Sequence, residues 1–302
     1  MTVCVAVICG NNLVCGMSDR MLTAGDIQFQ PSSSKIWVIT RSIVMMAAGD
    51  VGLQSEIYTE VSKVVAAHVA ATPTDWLRVE AVAELYRRSY FEIQKRRAEK
   101  EILLPLGLTS ETFLTMQKAM DPGLVSDLAK ELIGYRMPPV AAVIAGNNPY
   151  IENPESVSAH IFTVENGSLV CADKVGFACV GAGAWHANST LMLAGHTPAT
   201  PPAKALLSMY SAKKRAEVAP GVGGETDNFI VTPRLGGYDT IRNEIAAAVV
   251  RAYERLTTQV TKLQAKTEDS LQGYINEILA PKAAEPQTAD GAKSGAPPDP
   301  PA

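Results

Sequence analysis

Met1-Thr2 runs without a break into Val3-Cys4-Val5-Ala6-Val7-Ile8, turns at Gly10-Asn11-Asn12, and returns through Leu13-Val14-Cys15 to Ser18-Asp19-Arg20. Gly and Asn are what a tight hairpin turn with positive φ needs. Both runs are apolar at nearly every position, the pattern of strands covered on both faces. The chain is therefore expected to open on an interior hairpin, with strands over 2–9 and 13–17. If Met1 is removed, Thr2 becomes the N-terminal residue of a strand. It would then carry a hydroxyl nucleophile and an α-amine base in one residue.

Working outward, Lys35 heads a second apolar run, Ile36-Trp37-Val38-Ile39, and residues 42–48 form its return before the break at Gly49-Asp50-Val51-Gly52. From Leu53 the spacing becomes helical through Ile57, Val61 and Val64-Val65, with His68 read as a core histidine. Thr72-Pro73-Thr74-Asp75 reads as a turn and cap, and a second helix is expected from about Trp76 to Glu99. Residues 101–138 look inserted. A helix starts at Thr109-Ser110-Glu111 and stops at Asp121-Pro122-Gly123, another runs from Leu124 to Ile133, and Met137-Pro138-Pro139 closes the segment.

Strands return at 140–145, at 159–164 and 168–171 around Glu165-Asn166-Gly167, and at 177–180. Helices follow over about 185–194 and 201–218, then Gly221-Val222-Gly223-Gly224 and a strand over 228–232. Hairpins, two helices, hairpins, two helices and a strand predict an α+β fold, with helices packed outside two antiparallel sheets. One long helical stripe occupies Thr240 to Leu279 and needs a partner surface, on the domain or on another chain. The Pro- and Ala-rich stretch 281–302 reads as a disordered tail.

The 302 residues, 47% hydrophobic and 19% charged, are enough for one elaborated globular domain. A net charge of −4 gives no reason to expect nucleic acid or an anionic membrane as partner. The basic cluster Arg87-Arg88 to Arg97 is interleaved with Glu92 and Glu99 and reads as a solvated helix face. Five cysteines without a paired motif read as reduced thiols, and four histidines lack metal-ligand spacing, so no metal site is expected. There is no basic leader and no apolar run of membrane-spanning length, which leads to the expectation of a cytoplasmic protein.

Thr2-Val3, Asp19, Thr23-Ala24-Gly25, Lys35-Ile36 and Ala47-Ala48-Gly49 stand in an order and spacing that resembles the proteasome β-type subunits of the N-terminal nucleophile hydrolases. Among these, the bacterial proteasome-like peptidases without a propeptide are nearest in plan. Val143-Ile144-Ala145-Gly146, Val180-Gly181-Ala182-Gly183 and Gly223-Gly224 before a strand fit the second half, so the resemblance covers 2–100 and about 140–233. It implies a four-layer αββα sandwich over 1–239; the helical insertion at 101–138 and the C-terminal helical extension over 240–280 lie outside the family's simple plan.

The resemblance further implies a threonine peptidase in which Thr2, exposed by removal of Met1, attacks a peptide carbonyl and its α-amine serves as base. Lys35 would lower the pKa of the Thr2 hydroxyl, Asp19 would hold Lys35, and the Gly49 N–H would donate to the oxyanion. Thr23 and Gly25 would lie where an extended substrate pairs. No cofactor is implied. The partners implied are a peptide or unfolded protein, further copies of the chain in a ring-like homo-oligomer, and an ATPase the sequence does not name.

Taken singly, Lys35 reads equally as an ordinary strand lysine, Asp19 as a turn residue and Gly49 as a turn glycine. This chain also departs from the family. Ala182 stands where a serine is usual, and Ala219 and Val222 stand where an aspartate and a serine are usual; Ser18, Glu225, Thr226 and Asp227 are candidate substitutes. Two other readings stay open: a non-catalytic proteasome-like scaffold, and an N-terminal nucleophile amidase for small molecules.

Overall fold

The structure is a computed structural model, and it describes residues 2–10, 12–24, 27–31, 34–72, 75–150 and 156–279. The expected tail at 281–302, Gly25, Asn11 and Pro73-Thr74 of the 72–75 turn lie outside the described residues. Among the described residues there are two five-stranded antiparallel sheets, a two-stranded ribbon and seven α-helices.

The first hairpin is β1 (Cys4–Cys9) and β2 (Leu13–Asp19), and the strand β10 (Phe177–Val180) pairs with the free side of β1. On the other side, β11 (Thr226–Val231) pairs with β2 and then with β12 (Tyr238–Asp239). The ribbon is β3 (Leu22–Ala24) with β4 (Ile27–Phe29). The second sheet runs in chain order, β5 (Ile36–Thr40), β6 (Ile43–Gly49), β7 (Val140–Pro149), β8 (Val157–Glu165) and β9 (Ser168–Cys171). At the β8–β9 turn, Asn166 and Gly167 take φ of 48° and 85°, as a two-residue hairpin turn requires.

All six residues of β1 are buried, because the strand is covered on both faces. Cys4, Ala6 and Ile8 join Val44, Met46, Val143, Ile161 and Phe229 in an apolar cluster shared by the two sheets. Val5, Val7 and Cys9 face the other way, onto α5 (Ala184–Leu193) and α6 (Pro202–Ala216) through Leu191, Leu206, Met209 and Ala212. The outer face of the second sheet is covered by α1 (Val51–Ala71) and α2 (Val79–Ala98), where Leu53, Ile57, Val61, Val82, Tyr86 and Ile93 meet Met45 and Ile144. This period-two alternation between two apolar clusters is why nearly every position in these strands is apolar.

Several boundaries differ from the sequence reading. Helix α1 begins at Val51, because Asp50 caps it by accepting from the Leu53 N–H at 2.7 Å. Within the insertion, Asp121-Pro122-Gly123 starts a helix rather than stopping one. Asp121 accepts from Leu124 N–H at 3.0 Å, and Pro122 sits in the first turn of α4 (Pro122–Gly134), where its missing N–H costs nothing. The insertion also holds α3 (Ser110–Met116) and has a small core of its own, Leu103, Phe113 and Leu128. His68 is not in the core. It is part-exposed near the end of α1, 3.4 Å from Asp75, whereas His196 is buried and bonded through Nε2 to Ile8 O at 2.9 Å.

The chain divides into two compact units, Met1–Tyr253 and Glu254–Ala302. The long helix α7 (Asn243–Leu279) starts in the first unit, where Ala246 and Val249 pack on the α6 cluster and Tyr253 meets Tyr210 edge-on at 5.3 Å. The division therefore falls within the helix rather than at 239/240. In the second unit every described residue, 254–279, is exposed. Among the described residues no helix is long and apolar enough to cross a membrane.

Candidate active site

Four segments converge at the start of β1. The Thr2 carbonyl accepts from Gly183 N–H at 3.2 Å, and the Val3 carbonyl accepts from Asp19 N–H at 3.2 Å, so the chain start is held like an inner strand. Gly181, with φ of +96°, lies directly against the Thr2 backbone, where a Cβ would collide with it. Asp19 ends β2 and is fully buried. Lys35 immediately precedes β5 and is 8% exposed.

Asp19 is satisfied on both carboxylate oxygens. Its Oδ1 accepts from the Thr2 hydroxyl, from Val3 N–H at 2.9 Å and from Lys35 Nζ at 3.0 Å. Its Oδ2 accepts from Met21 N–H at 2.9 Å and Gly223 N–H at 3.0 Å. Lys35 Nζ also donates to the Thr2 hydroxyl oxygen and to the Met21 carbonyl at 2.5 Å. The Thr2 hydroxyl thus sits between a cation that donates to it and a carboxylate that accepts from it. The cation favours the alkoxide over the hydroxyl, while the carboxylate beside it opposes that charge and holds the hydroxyl proton.

Thr2, itself buried, borders two clefts. One, a cavity of about 270 Å³, is walled by Leu22, Trp37, Ala47, Gly49, Val51 and Gln54 around Lys35. The other, of about 510 Å³, lies toward Pro139, Val140, Asn166 and Ala182. Gly49 is on the rim of both, at the end of β6. Its φ of +105° and the approach of Val140 Cα, 2.8 Å from where a Cβ would stand, leave room only for glycine.

Of the residues singled out from the sequence, Thr2, Asp19 and Lys35 are in direct contact and Gly49 borders the same clefts. Thr23 lies in β3, paired with Gln28, and Gly25 is outside the described residues. Ala182 is exposed at the second cleft, while Ala219 and Val222 are buried in the apolar cluster against α6. Glu225 and Asp227 do not substitute for the missing polar groups at Thr2. Both are drawn off by Arg20, at 3.4 and 2.5 Å, because Asp227 lies across from Ser18 on the neighbouring strand. Thr226 donates to the Gly224 carbonyl at 3.5 Å, and Ser18 Oγ is buried with no hydrogen-bond partner among the described residues.

Two residues that the sequence did not single out support the site. Lys213, on α6 and fully buried, donates to the carbonyls of Gly223 at 3.0 Å and Gly224 at 2.6 Å and to Glu217 at 2.6 Å. Burial pulls its pKa below the usual lysine range, while Glu217 and then Asp19 work to keep it charged. It fixes the turn whose N–H reaches Asp19. Gln54, buried on α1, donates to the Ala48 carbonyl at 2.8 Å and the Ala141 carbonyl at 3.0 Å, and accepts from Tyr86 OH at 3.0 Å. It ties the end of β6 to β7 just before Gly49. The neighbouring thiol of Cys4 is no rival nucleophile: burial pushes its pKa up to about 12, against a smaller opposing pull from Lys35. Among the described residues no three His, Cys, Asp or Glu side chains are grouped to hold a metal ion.

The sequence matches no family model and no curated protein.

Proposed function

We propose that the chain is an N-terminal-threonine hydrolase of the proteasome β-type kind, with the αββα sandwich of that superfamily, acting on peptide bonds. The observation that carries this reading is the placement of the Thr2 hydroxyl between Lys35 Nζ and Asp19 Oδ1, beside two clefts. Removal of Met1 frees the α-amine of Thr2, which titrates at about pH 8 and is suited to proton transfer near neutrality. The hydroxyl oxygen attacks the peptide carbonyl while its proton passes to the α-amine. The Gly49 N–H stabilises the oxyanion, and the amine leaving group departs with that proton. Water then hydrolyses the Thr2 ester by the same base.

The smaller cavity supports an apolar side chain before the cleaved bond. Its wall includes Leu22, Trp37, Ala47 and Val51; the polar atoms of Gln54 are engaged by Ala48, Ala141 and Tyr86, the Ser34 hydroxyl accepts from Ile36 N–H and the Ser55 hydroxyl donates to the Val51 carbonyl. The test joins intact mass with turnover. Active protein lacks Met1 and cleaves fluorogenic peptides with an apolar residue at that position faster than acidic or basic ones, and Thr2→Ala abolishes cleavage. Full activity with Met1 retained, or in Thr2→Ala, overturns the proposal.

A second reading, a non-catalytic scaffold of the same architecture, is favoured by one observation. The positions of Ala219 and Val222 are filled by apolar packing instead of polar groups near Thr2. Covalent modification of Thr2 by an electrophile selective for N-terminal threonine would count against it; inert Thr2 in protein lacking Met1 would support it.

A further inference from the structure

The geometry points to an antiparallel pairing of residues 254–279 of α7 with the same segment of a second copy of this chain. Nothing in this inference depends on chemistry at Thr2. The segment is helical and exposed throughout, and its large apolar side chains include Leu263 at 66%, Leu271 at 56% and Ile278 at 62% exposure. Leu256, Val260, Leu263, Thr267, Leu271, Tyr274 and Ile278 fall in one stripe, within an arc of roughly 80° at 3.6 residues per turn. The pattern repeats after eleven residues: Leu256, Thr267 and Ile278; Val260 and Leu271; Leu263 and Tyr274. A repeat of that length, about 3.67 residues per turn, keeps the stripe nearly straight over roughly 33 Å. Such a stripe suits a partner helix of equal length.

Two features decide which partner. First, the spacing is the same in either direction about Thr267: four, three, four, then four, three, four. Two copies related by a two-fold axis at Thr267 set Leu256 against Ile278 of the partner subunit. They also set Val260 against Tyr274 of the partner subunit, and Leu263 against Leu271 of the partner subunit. Second, charge is segregated. Residues 254–266 carry Arg255, Lys262 and Lys266 against Glu254 alone, whereas 267–279 carry Glu268, Asp269 and Glu277 and no basic residue. Antiparallel pairing lays the basic half on the acidic half; parallel pairing lays like on like. The Thr267 hydroxyl donates to the Leu263 carbonyl of its own helix at 2.8 Å, so it needs no partner across the seam. Most of a helix's stability in a protein comes from packing its apolar face, this stripe is exposed, and Gly273 weakens the helix further, so pairing supplies the packing the segment lacks.

Disulfide trapping in the full chain tests orientation and register together. The background is Cys171→Ser, which removes the exposed thiol and leaves the four buried ones. In a glutathione buffer, Thr267→Cys is expected to give a disulfide-linked dimer as the main species. Its yield should be roughly tenfold that of Val260→Cys, because only residue 267 meets itself at high effective concentration. Mixing Val260→Cys with Tyr274→Cys chains should restore cross-linking, and Leu263→Glu with Leu271→Glu in the Thr267→Cys chain should abolish it. Cross-linking of Val260→Cys to itself as readily as Thr267→Cys, or no dimer from Thr267→Cys, overturns the proposal. All five helix sites are exposed, as is Cys171, so the first unit is expected to fold in each variant.

Discussion

The N–H of Gly223 donates to Oδ2 of Asp19 at 3.0 Å, joining the turn before β11 to the residue that holds Thr2 and Lys35. That turn is itself held by Lys213, which reaches both of its glycine carbonyls from α6. In the proposed hydrolase, Lys213 is a positioning residue that acts through Gly223 and Asp19.

Lys213→Met is therefore expected to lower kcat by on the order of tenfold to a hundredfold with KM little changed, as for a small displacement of reacting groups. Glu217→Gln leaves the amine on both carbonyls and should keep most activity. Steady-state kinetics on one fluorogenic peptide compares the two. Lys213→Met should also lose stability toward the lower end of the roughly 3–5 kcal/mol seen for broken buried pairs, since Glu217 is part-exposed.

Thr2→Ala and Asp19→Ala should separate activity from stability. Without the Thr2 hydroxyl, Lys35 and Asp19 still pair at 3.0 Å, so the change in stability should stay within about 1 kcal/mol while turnover disappears. Asp19→Ala strands a buried lysine and three backbone N–H groups, and is expected to cost about 3–5 kcal/mol. Urea denaturation of both variants measures the contrast.

Gly49→Ala forces an unfavourable backbone conformation and a collision with Pro139 and Val140. A cost of about 1–3 kcal/mol is expected from the backbone alone, together with loss of turnover because the proposed oxyanion donor moves. Gln54→Leu should show a milder form of the same defect. It leaves Tyr86 OH unsatisfied inside the core, at a cost of about 1–3 kcal/mol. Thermal melts and kcat on the same preparations test both.

His196 makes the fold sensitive to acid. Burial lowers its pKa below the usual histidine value, and nearby Lys204 adds to the effect, while its hydrogen bond to the Ile8 carbonyl opposes it. The unfolded chain then binds the proton more readily than the folded one. Stability should fall as pH drops below about 6.5 and level off once the folded form is protonated. His196→Gln should flatten that limb in denaturation curves taken between pH 7 and pH 5.

The two sheets were legible in the sequence because β1, β2, β6 and β7 are apolar on both faces, which only doubly covered strands need. The Thr2, Asp19 and Lys35 grouping was legible only through its resemblance to a family, since nothing local distinguishes Lys35 from any lysine before a strand. Lys213 and Gln54 were not legible. Lys213 stands in the run Lys213-Lys214-Arg215, which reads as a solvated helix end, and Gln54 sits beside Leu53 at a helix start. Each is buried only because carbonyls from distant segments meet it there. The start of α4 was misread because Asp-Pro-Gly serves turns and helix N-termini alike, and only the 3.0 Å cap to Leu124 decides between them.

The bond between Gly223 and Asp19 has a consequence for the chain as it is made. Thr2, Asp19 and Lys35 leave the ribosome early, yet the carboxylate lacks one of its donors, and β2 lacks its neighbour, until residues 223–231 have emerged. The Thr2 end of the molecule therefore takes its final shape only late in synthesis, after the helices that flank the first sheet. In the proposed hydrolase, a half-made chain would carry the threonine before the setting around Asp19 is complete.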